Sequence, residues 1–278
     1  MSGKAVHHTQ VQKGVAFLLN FAPRSWSTRD DMFLRLSQAF RARDVAPVVV
    51  TSEPLPDLLA SRYCAAGTQL EVIKYGKGVA HCLIELRRVV KEHSITMVYI
   101  RHFNAFTGLP WLVWALGVRD IVLSDAEGGL LRATSWKKAL LRFRMRLLTH
   151  PTTRLTAISH FVKRRLVDLG IREDKIEVIY NGVDTRRFCP NPEARAEWAR
   201  RFPIRRDEVI LATASALLPI KDIPSIVESL GLIISRGVSA RLFVAGEGPL
   251  RAELEELSRK LGLAERIYWL GYVDDPGL

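Results

Sequence analysis

Short apolar runs of strand length alternate with stretches of helical spacing along most of the chain. That alternation restricts it to parallel sheets covered by helices on both faces. Residues 14–20 form the first run; a loop with Pro23, Ser25, Ser27 and Thr28 follows, and then Met32, Phe33, Leu36 and Phe40 recur at helical spacing. Ser27 or Thr28 is placed to cap that helix, and Asp30 and Asp31 suit its positive first turn. Further strands are expected at residues 45–51, 70–73, 95–100 and 120–123, with a helix over residues 80–92. The second half repeats the theme: strands at 209–213, 240–245 and 266–270 separated by helices at 223–236 and 250–261. Such a β-α-β-α-β run is about half of a doubly wound domain. Between the halves, residues 184–192 carry Pro190 and Pro192 without periodicity. The expected organisation is therefore an N-terminal Rossmann-like domain over 1–184, a linker over 185–192 and a partial C-terminal domain over 193–278.

With 278 residues, 48% of them apolar and 25% charged, the chain can bury two modest cores. Its net charge of +12 favours an anionic partner: nucleic acid, acidic lipid headgroups or a phosphorylated ligand. Cys64, Cys82 and Cys189 have no metal-ligand spacing, and so sparse a set suits a reducing compartment. The polar start Met1-Ser2-Gly3-Lys4 lacks the apolar stretch of a signal peptide. The apolar run at residues 109–118, interrupted by Pro110 and Gly117, is shorter than the ~20 residues a membrane helix needs. A cytosolic protein that touches the inner face of a membrane is the expectation.

The middle of the chain is the most specific part. Thr156-Ala157-Ile158 reads as a strand, Ser159 as the cap of a basic helix, and residues 176–179 as a short strand before the turn at Tyr180-Asn181-Gly182-Val183-Asp184, with Phe188 beyond. Pro219-Ile220-Lys221, then Val244-Ala245-Gly246-Glu247-Gly248-Pro249-Leu250, then Leu270-Gly271-Tyr272-Val273 follow in order. This ordered set resembles the retaining glycosyltransferase family 4, from about Gly14 to Val273 and most sharply after Leu155. The resemblance implies an α/β, GT-B-like fold of two Rossmann-like domains facing each other across a hinge near Asp184, with a groove for an activated sugar. The second domain is incomplete, with about three strands.

The resemblance also implies roles. The family carries an Arg and, five positions later, a Lys on the loop after the first strand of the second domain, and both neutralise the donor diphosphate. Here Lys221 keeps the Lys position, and Ala216 stands where the Arg would be. Two cations suit a leaving group that accumulates negative charge as the glycosidic bond breaks. At Gly246, Glu247 and Gly248, small residues let a ligand approach the backbone and a helix N-terminus favours phosphate; the resemblance implies that this turn, with Tyr272 and Val273, borders the base and ribose, and Ser215 is a further donor-binding candidate. On the acceptor side, Asp125 and Glu127 occupy the neighbourhood of a family histidine, and His102 is a further strand-end candidate. The loop Pro23-Arg24-Ser25-Trp26-Ser27-Thr28 stands in place of a glycine-rich loop. A pair of Glu residues eight positions apart lies, in the family, beyond the point where this sequence stops, so the chain reads as C-terminally truncated. The uncovered edge of the second sheet would then be met by that segment or by a partner chain.

Charge is concentrated. No acidic residue lies between Glu127 and Asp168, a window holding Arg132, Lys137, Lys138, Arg142, Arg144, Arg146, Arg154, Lys163, Arg164 and Arg165. Trp136, Leu140, Phe143 and Leu147 make one helical stripe inside it, expected to be a core face with basic flanks. Those flanks are either plainly solvated or dock on anionic lipid. Nucleic acid is not expected, since no stacking platform or known motif accompanies the charge.

Two readings follow. One is a retaining, hexosyltransferase-type enzyme that moves a sugar from a nucleoside-diphosphate sugar to a glycan or lipid-linked acceptor in cell-surface polysaccharide or glycolipid synthesis, with no metal or other cofactor. The other is a non-catalytic relative that binds a nucleotide or a partner. The sugar, base and acceptor are not written in these motifs.

Overall fold

A computed structural model describes residues 13–20, 28–101, 108–125, 135–186, 188–205 and 207–273, with the side chains of 28, 29, 125 and 135–138 left aside. The chain divides into two compact units, residues 1–183 and 184–278.

The first unit alternates strand and helix: β1 Gly14–Leu19, α1 Thr28–Arg41, β2 Ala46–Thr51, α2 Asp57–Ala65, β3 Gln69–Val72, α3 Val79–Glu92, β4 Ile95–Arg101, α4 Leu109–Ala115, β5 Asp120–Asp125, α5 Ser135–Thr149, β6 Arg154–Ala157, α6 His160–Asp168 and β7 Ile176–Val178. Its seven strands are ordered β3-β2-β1-β4-β5-β6-β7, every pair parallel. The unbroken apolar sequence of β1 has a direct cause, because both faces of that strand are covered. Ala16 and Leu18 pack with Val48, Val50 and Ile100 on one face. Val15, Phe17 and Leu19 pack with Phe33, Val49 and Tyr63 on the other. Phe17 meets Phe33, Phe40 and Tyr99 edge-on with ring centroids 5.6, 6.0 and 6.0 Å apart.

Helices follow from the same pattern. Cys82, Leu86 and Val89 on α3 recur at helical spacing and are buried. The apolar run at 109–118 becomes α4, with Pro110 in its first turn; Gly117 beyond it sits at φ +94°, where a side chain would be strained. Ser159 caps α6 as expected, accepting from the Val162 N–H at 3.2 Å.

One expectation is overturned on α5. Leu140, Phe143 and Leu147 are 62%, 68% and 53% exposed, so their stripe is not a core face. Met145 and Thr149 are buried instead, and Leu141 packs against the core. The helix has apolar residues on two sides, and periodicity alone cannot say which side is packed.

The second unit consists of α7 Pro192–Arg201, β8 Val209–Ala214, α8 Ile223–Ser235, β9 Ala240–Ala245, α9 Arg251–Lys260 and β10 Ile267–Gly271. Its three strands are parallel, in the order β10-β9-β8. Leu242 and Val244 of the central strand face Ile223, Val227, Leu230 and Leu254. On the opposite face, Phe243 stacks on Tyr268 at 4.8 Å, and Trp198 of α7 and Phe202 at its C-cap reach Phe243 at 5.3 and 5.0 Å. Helix α7 has no counterpart among the expected elements, since beyond its alanines Trp198 is its one large apolar residue. It starts cleanly nonetheless: the Asn191 side chain accepts from the N–H groups of Glu193 and Ala194 at 3.0 and 3.1 Å.

Candidate active site

In a parallel α/β sheet every strand delivers the residues that follow it to one edge, the carboxyl edge, where ligands bind. In the second unit, Ser215 follows β8, Gly246-Glu247-Gly248 follow β9, and Tyr272-Val273 follow β10. Ser215 N–H donates to the Ala245 carbonyl at 3.0 Å, Leu217 N–H to the Glu247 carbonyl at 2.9 Å, and Gly246 N–H to the Gly271 carbonyl at 2.6 Å. These bonds join the three predicted segments into one surface. A 3-10 turn at Pro219–Lys221 then leads into α8 through Asp222, which is left-handed at φ +49°. Lys221 lies exposed on that turn. Asp222 accepts from the Ser225 hydroxyl at 2.8 Å, which fixes the start of α8.

The glycines are demanded by the chain itself. A Cβ at Gly246, whose φ is +137°, would stand 1.9 Å from the Ser215 carbonyl oxygen. A Cβ at Gly248 would stand 2.5 Å from the Leu217 carbonyl oxygen. The backbone of residues 215–217 therefore occupies the space the missing side chains leave. Glu247 is exposed; its carboxylate lies 3.8 Å from Arg251, and Arg251 in turn stands 5.1 Å from the centre of the Trp269 ring. Arg251 also pairs with Glu255.

A cavity of about 370 Å³ opens on the α7 side of the same sheet, lined by Trp198, Ala212, Phe243, Ala245, Leu270 and Val273 among others. Its lining is mostly apolar, and Val273 is the predicted site residue that it shares with the carboxyl edge. Arg195 is the charged residue of that lining, and the rest of it suits the uncharged part of a ligand.

The opposite edge is a structural clamp. Glu208, fully buried, accepts from Arg241 at 2.7 Å, Arg266 at 2.9 Å and Ser239 at 3.3 Å, and from the Arg205 N–H at 3.2 Å. Burial pushes its carboxyl up, and these donors, Arg241 first, more than reverse that and hold it below the usual range.

In the first unit the strand order reverses between β1 and β4, which places Leu19 beside Arg101 at the carboxyl edge. His102 and Glu127 lie outside the described residues, as does most of the loop at 23–28. Asp125 closes β5 and pairs in register with Ala157, but its side chain is not among those described. Arg101, not among the expected site residues, is 4% exposed at this crossover. Its guanidinium contacts the Met32 sulfur at 3.2 Å and stands 6.0 Å from the Phe33 ring. A charged residue closing an apolar strand was the available signal.

Among the described residues, Glu71, Glu92 and His93 are a trio whose ligand atoms come within 4.8 Å of one another. Arg88 already fills it, bonding Glu71 and Glu92 at 2.8 Å each. Its guanidinium holds the Glu71 carboxyl below the usual range against the opposing effect of burial, with His93 adding to the effect. That trio is an ion-pair network organised by Arg88.

Two family models match the chain, Glycosyltransferase Family 4 over residues 32–187 and Glycosyl transferases group 1 over residues 194–277. A GDP-mannose-dependent alpha-(1-6)-phosphatidylinositol monomannoside mannosyltransferase of Mycobacterium tuberculosis H37Rv is 28% identical over 193 residues, covering 68% of this chain and 48% of that protein. Bacillus subtilis EpsF, a putative glycosyltransferase, is 29% identical over 190 residues, covering 67% of this chain and 49% of that protein. The chain spans about half the length of these curated relatives. Among solved structures, Anabaena HepE in complex with UDP superposes with a TM-score of 0.73 at 16% identity, covering 95% of this chain and 70% of that one. WaaG, a glycosyltransferase of lipopolysaccharide biosynthesis, superposes with a TM-score of 0.61 at 18% identity, covering 95% and 71%. At such identities these two structures establish the fold.

Proposed function

The chain belongs to the glycosyltransferases described by those two family models, and on that footing we propose that it carries the donor-binding edge of an enzyme moving a sugar from a nucleoside-diphosphate sugar to a hydroxyl of a glycan or lipid-linked acceptor. The observation that carries this reading is the junction of Ser215, Gly246–Gly248 and Gly271–Val273 into one hydrogen-bonded surface at the carboxyl edge of β8, β9 and β10. Relatives are named for GDP-mannose, and a structural neighbour holds UDP; both ligands are nucleoside diphosphates or their sugar esters.

The chemistry assigns the residues. When the bond between the anomeric carbon and the diphosphate oxygen breaks, its electron pair remains on the diphosphate, while the acceptor oxygen bonds to that carbon and sheds its proton. Lys221 supplies positive charge to the departing phosphates. The backbone N–H groups at the starts of α8 and α9 add partial positive charge. Tyr272 and Val273 border the base and ribose, and Ser215 and Glu247 hydrogen-bond the donor. On the acceptor side, His102, Asp125 and Glu127 are the proposed residues, and Arg101 joins them by its place at the strand-order reversal. We place this activity at the cytoplasmic face of a membrane, in the synthesis of surface polysaccharide or glycolipid.

A calorimetric screen of UDP, GDP and the parent nucleosides tests the proposal. It expects one diphosphate to bind at least tenfold more tightly than its nucleoside. Equal binding of diphosphate and nucleoside, or none by either, would overturn it. A second reading, a nucleotide-binding relative without transfer activity, is favoured by Ala216 at the position where the family has a cation. Diphosphate binding without release of sugar from any donor would select it.

A further inference from the structure

The cavity beside α7 has an apolar floor with a cation at one end. Strand β8 carries apolar residues on both faces, the pattern of a strand covered on both sides. Leu211 packs into the core built by α8 and β9. Ile210, Ala212 and Ala214 alternate onto the opposite face, a row about 13 Å long. In register, Ala212 stands beside Phe243 and Ala214 beside Ala245. Three alanines thus make the floor of the cavity, and the rings of Trp198 and Phe243 make its wall. Helix α7 reaches Phe243 through Trp198 and leaves Ala212 and Ala214 exposed. The volume of about 370 Å³ lies within the ~300–1,000 Å³ usual for small-molecule sites.

Charge is sorted around α7. Ala194, Trp198 and Phe202 are half-buried and mark the side turned to the sheet. At about 100° per residue, Arg195 and Arg201 flank that side, and Glu193 and Glu197 lie further round the helix. The Arg201 guanidinium stands 5.7 Å from the centre of the Trp198 ring. Arg195 lines the cavity itself. Among the described residues its one hydrogen bond goes from Nη2 to the Glu208 carbonyl at 3.5 Å. That bond places the guanidinium by the amino end of β8 and leaves most of its N–H donors for another acceptor. No carboxylate is among the described residues that line the cavity.

We propose that this cavity binds an amphipathic anion, a saturated alkyl carboxylate whose chain lies along β8 and whose head meets Arg195. The chain gains by leaving water for an alanine floor and an aromatic wall. The carboxylate takes two N–H donors of one guanidinium. A row of side chains along a single strand suits an extended chain better than a broad ring system. A nucleoside would bury the polar atoms of its base and ribose against alanine, without hydrogen-bond partners. An alkyl cation would meet Arg195 with like charge. The far end of the row reaches Ala245 and Val273, so the tail stops behind the carboxyl edge and the head lies at the other end of the strand. The site does not depend on the donor-edge assignment.

Titration calorimetry of the full chain with decanoate tests this, kept below the concentration at which decanoate forms micelles and run beside decanol and decyltrimethylammonium. Decanoate should bind at least tenfold more tightly than decanol, and the cation least of all. Arg195→Ala should weaken decanoate at least tenfold and bring it close to decanol. Ala212→Phe, which fills the floor from an exposed position, should weaken both at least tenfold with circular dichroism unchanged. Absent decanoate binding, or equal binding of the three amphiphiles, would overturn the proposal, as would wild-type decanoate affinity in either variant. A dimer without ligand that Ala212→Phe splits would also overturn it, since a second copy would then occupy the cavity. Nucleoside diphosphate affinity should be the same in Arg195→Ala, which keeps this test separate from the donor site.

Discussion

The backbone N–H of Leu217 donates to the carbonyl of Glu247 at 2.9 Å, so the loop after β8 and the turn after β9 form one continuous surface. The Leu217 carbonyl also accepts from Leu250 N–H at 3.3 Å, which ties the same loop to the start of α9. A ligand that touches one of these segments touches a position set by the other.

Gly246→Ala tests that coupling. The new methyl would meet the Ser215 carbonyl at 1.9 Å and hold a left-handed φ. We expect a loss of about 3 kcal/mol in urea unfolding and a matching loss of nucleotide affinity. Unchanged stability would mean the two segments separate at little cost.

Lys221 is exposed, and the role proposed for it is charge alone. Lys221→Ala should raise the dissociation constant for the nucleoside diphosphate about tenfold and leave the melting temperature within a degree or so. Ala216→Arg, which adds a second cation to the same loop, should tighten binding by a similar factor. Titration calorimetry reads both.

Glu208 sets an acid limit on the second unit. A carboxyl held below its ordinary value of 4.5 in the folded chain is protonated first in the unfolded chain. Its contribution is therefore complete above 4.5 and is lost as the pH falls through the folded-state value. Glu208→Gln should cost about 3 kcal/mol at pH 7, because Arg241 and Arg266 lose their shared anion. The gap between wild type and variant should narrow at pH 3. Urea unfolding at the two pH values measures it, and a constant gap would contradict the linkage.

Phe243 is the centre of the ring cluster that holds α7 to the sheet, in contact with Trp198, Phe202 and Tyr268. Phe243→Ala should destabilise the second unit by about 3 kcal/mol and enlarge the cavity beside it. Differential scanning calorimetry should show one transition lowered and the other in place.

Much of the fold could be read from the chain because parallel sheets write themselves as apolar runs. The strand expected at 240–245 is β9 residue for residue, and β1, β2 and β4 differ from expectation by a residue at an end. That Ser215, Gly246 and Tyr272 come just after strands was legible too, since each closely follows an apolar run; the order that sets those strands side by side came from the structure. What the sequence did not disclose was physical context. Helix α7 carries too few apolar residues to register a period, yet two aromatic rings suffice to dock it. The stripe on α5 has the spacing of a core face and lies in solvent, because Leu141 and Met145 on the same helix were the ones the core accepted. Gly246 and Gly248 were expected to clear space for a ligand, and the chain's own backbone at Ser215 and Leu217 stands in that space. Arg101 was passed over because burial of a charge cannot be seen in a list of residues.

Amide hydrogen exchange in the presence and absence of the tighter-binding nucleoside diphosphate tests the central claim most directly, since it reports where the ligand sits. The account predicts protection at residues 215–221, 246–250 and 271–273, all of it at the carboxyl edge of the three-stranded sheet. Protection confined to the first unit, or to the apolar cavity around Trp198, would contradict it.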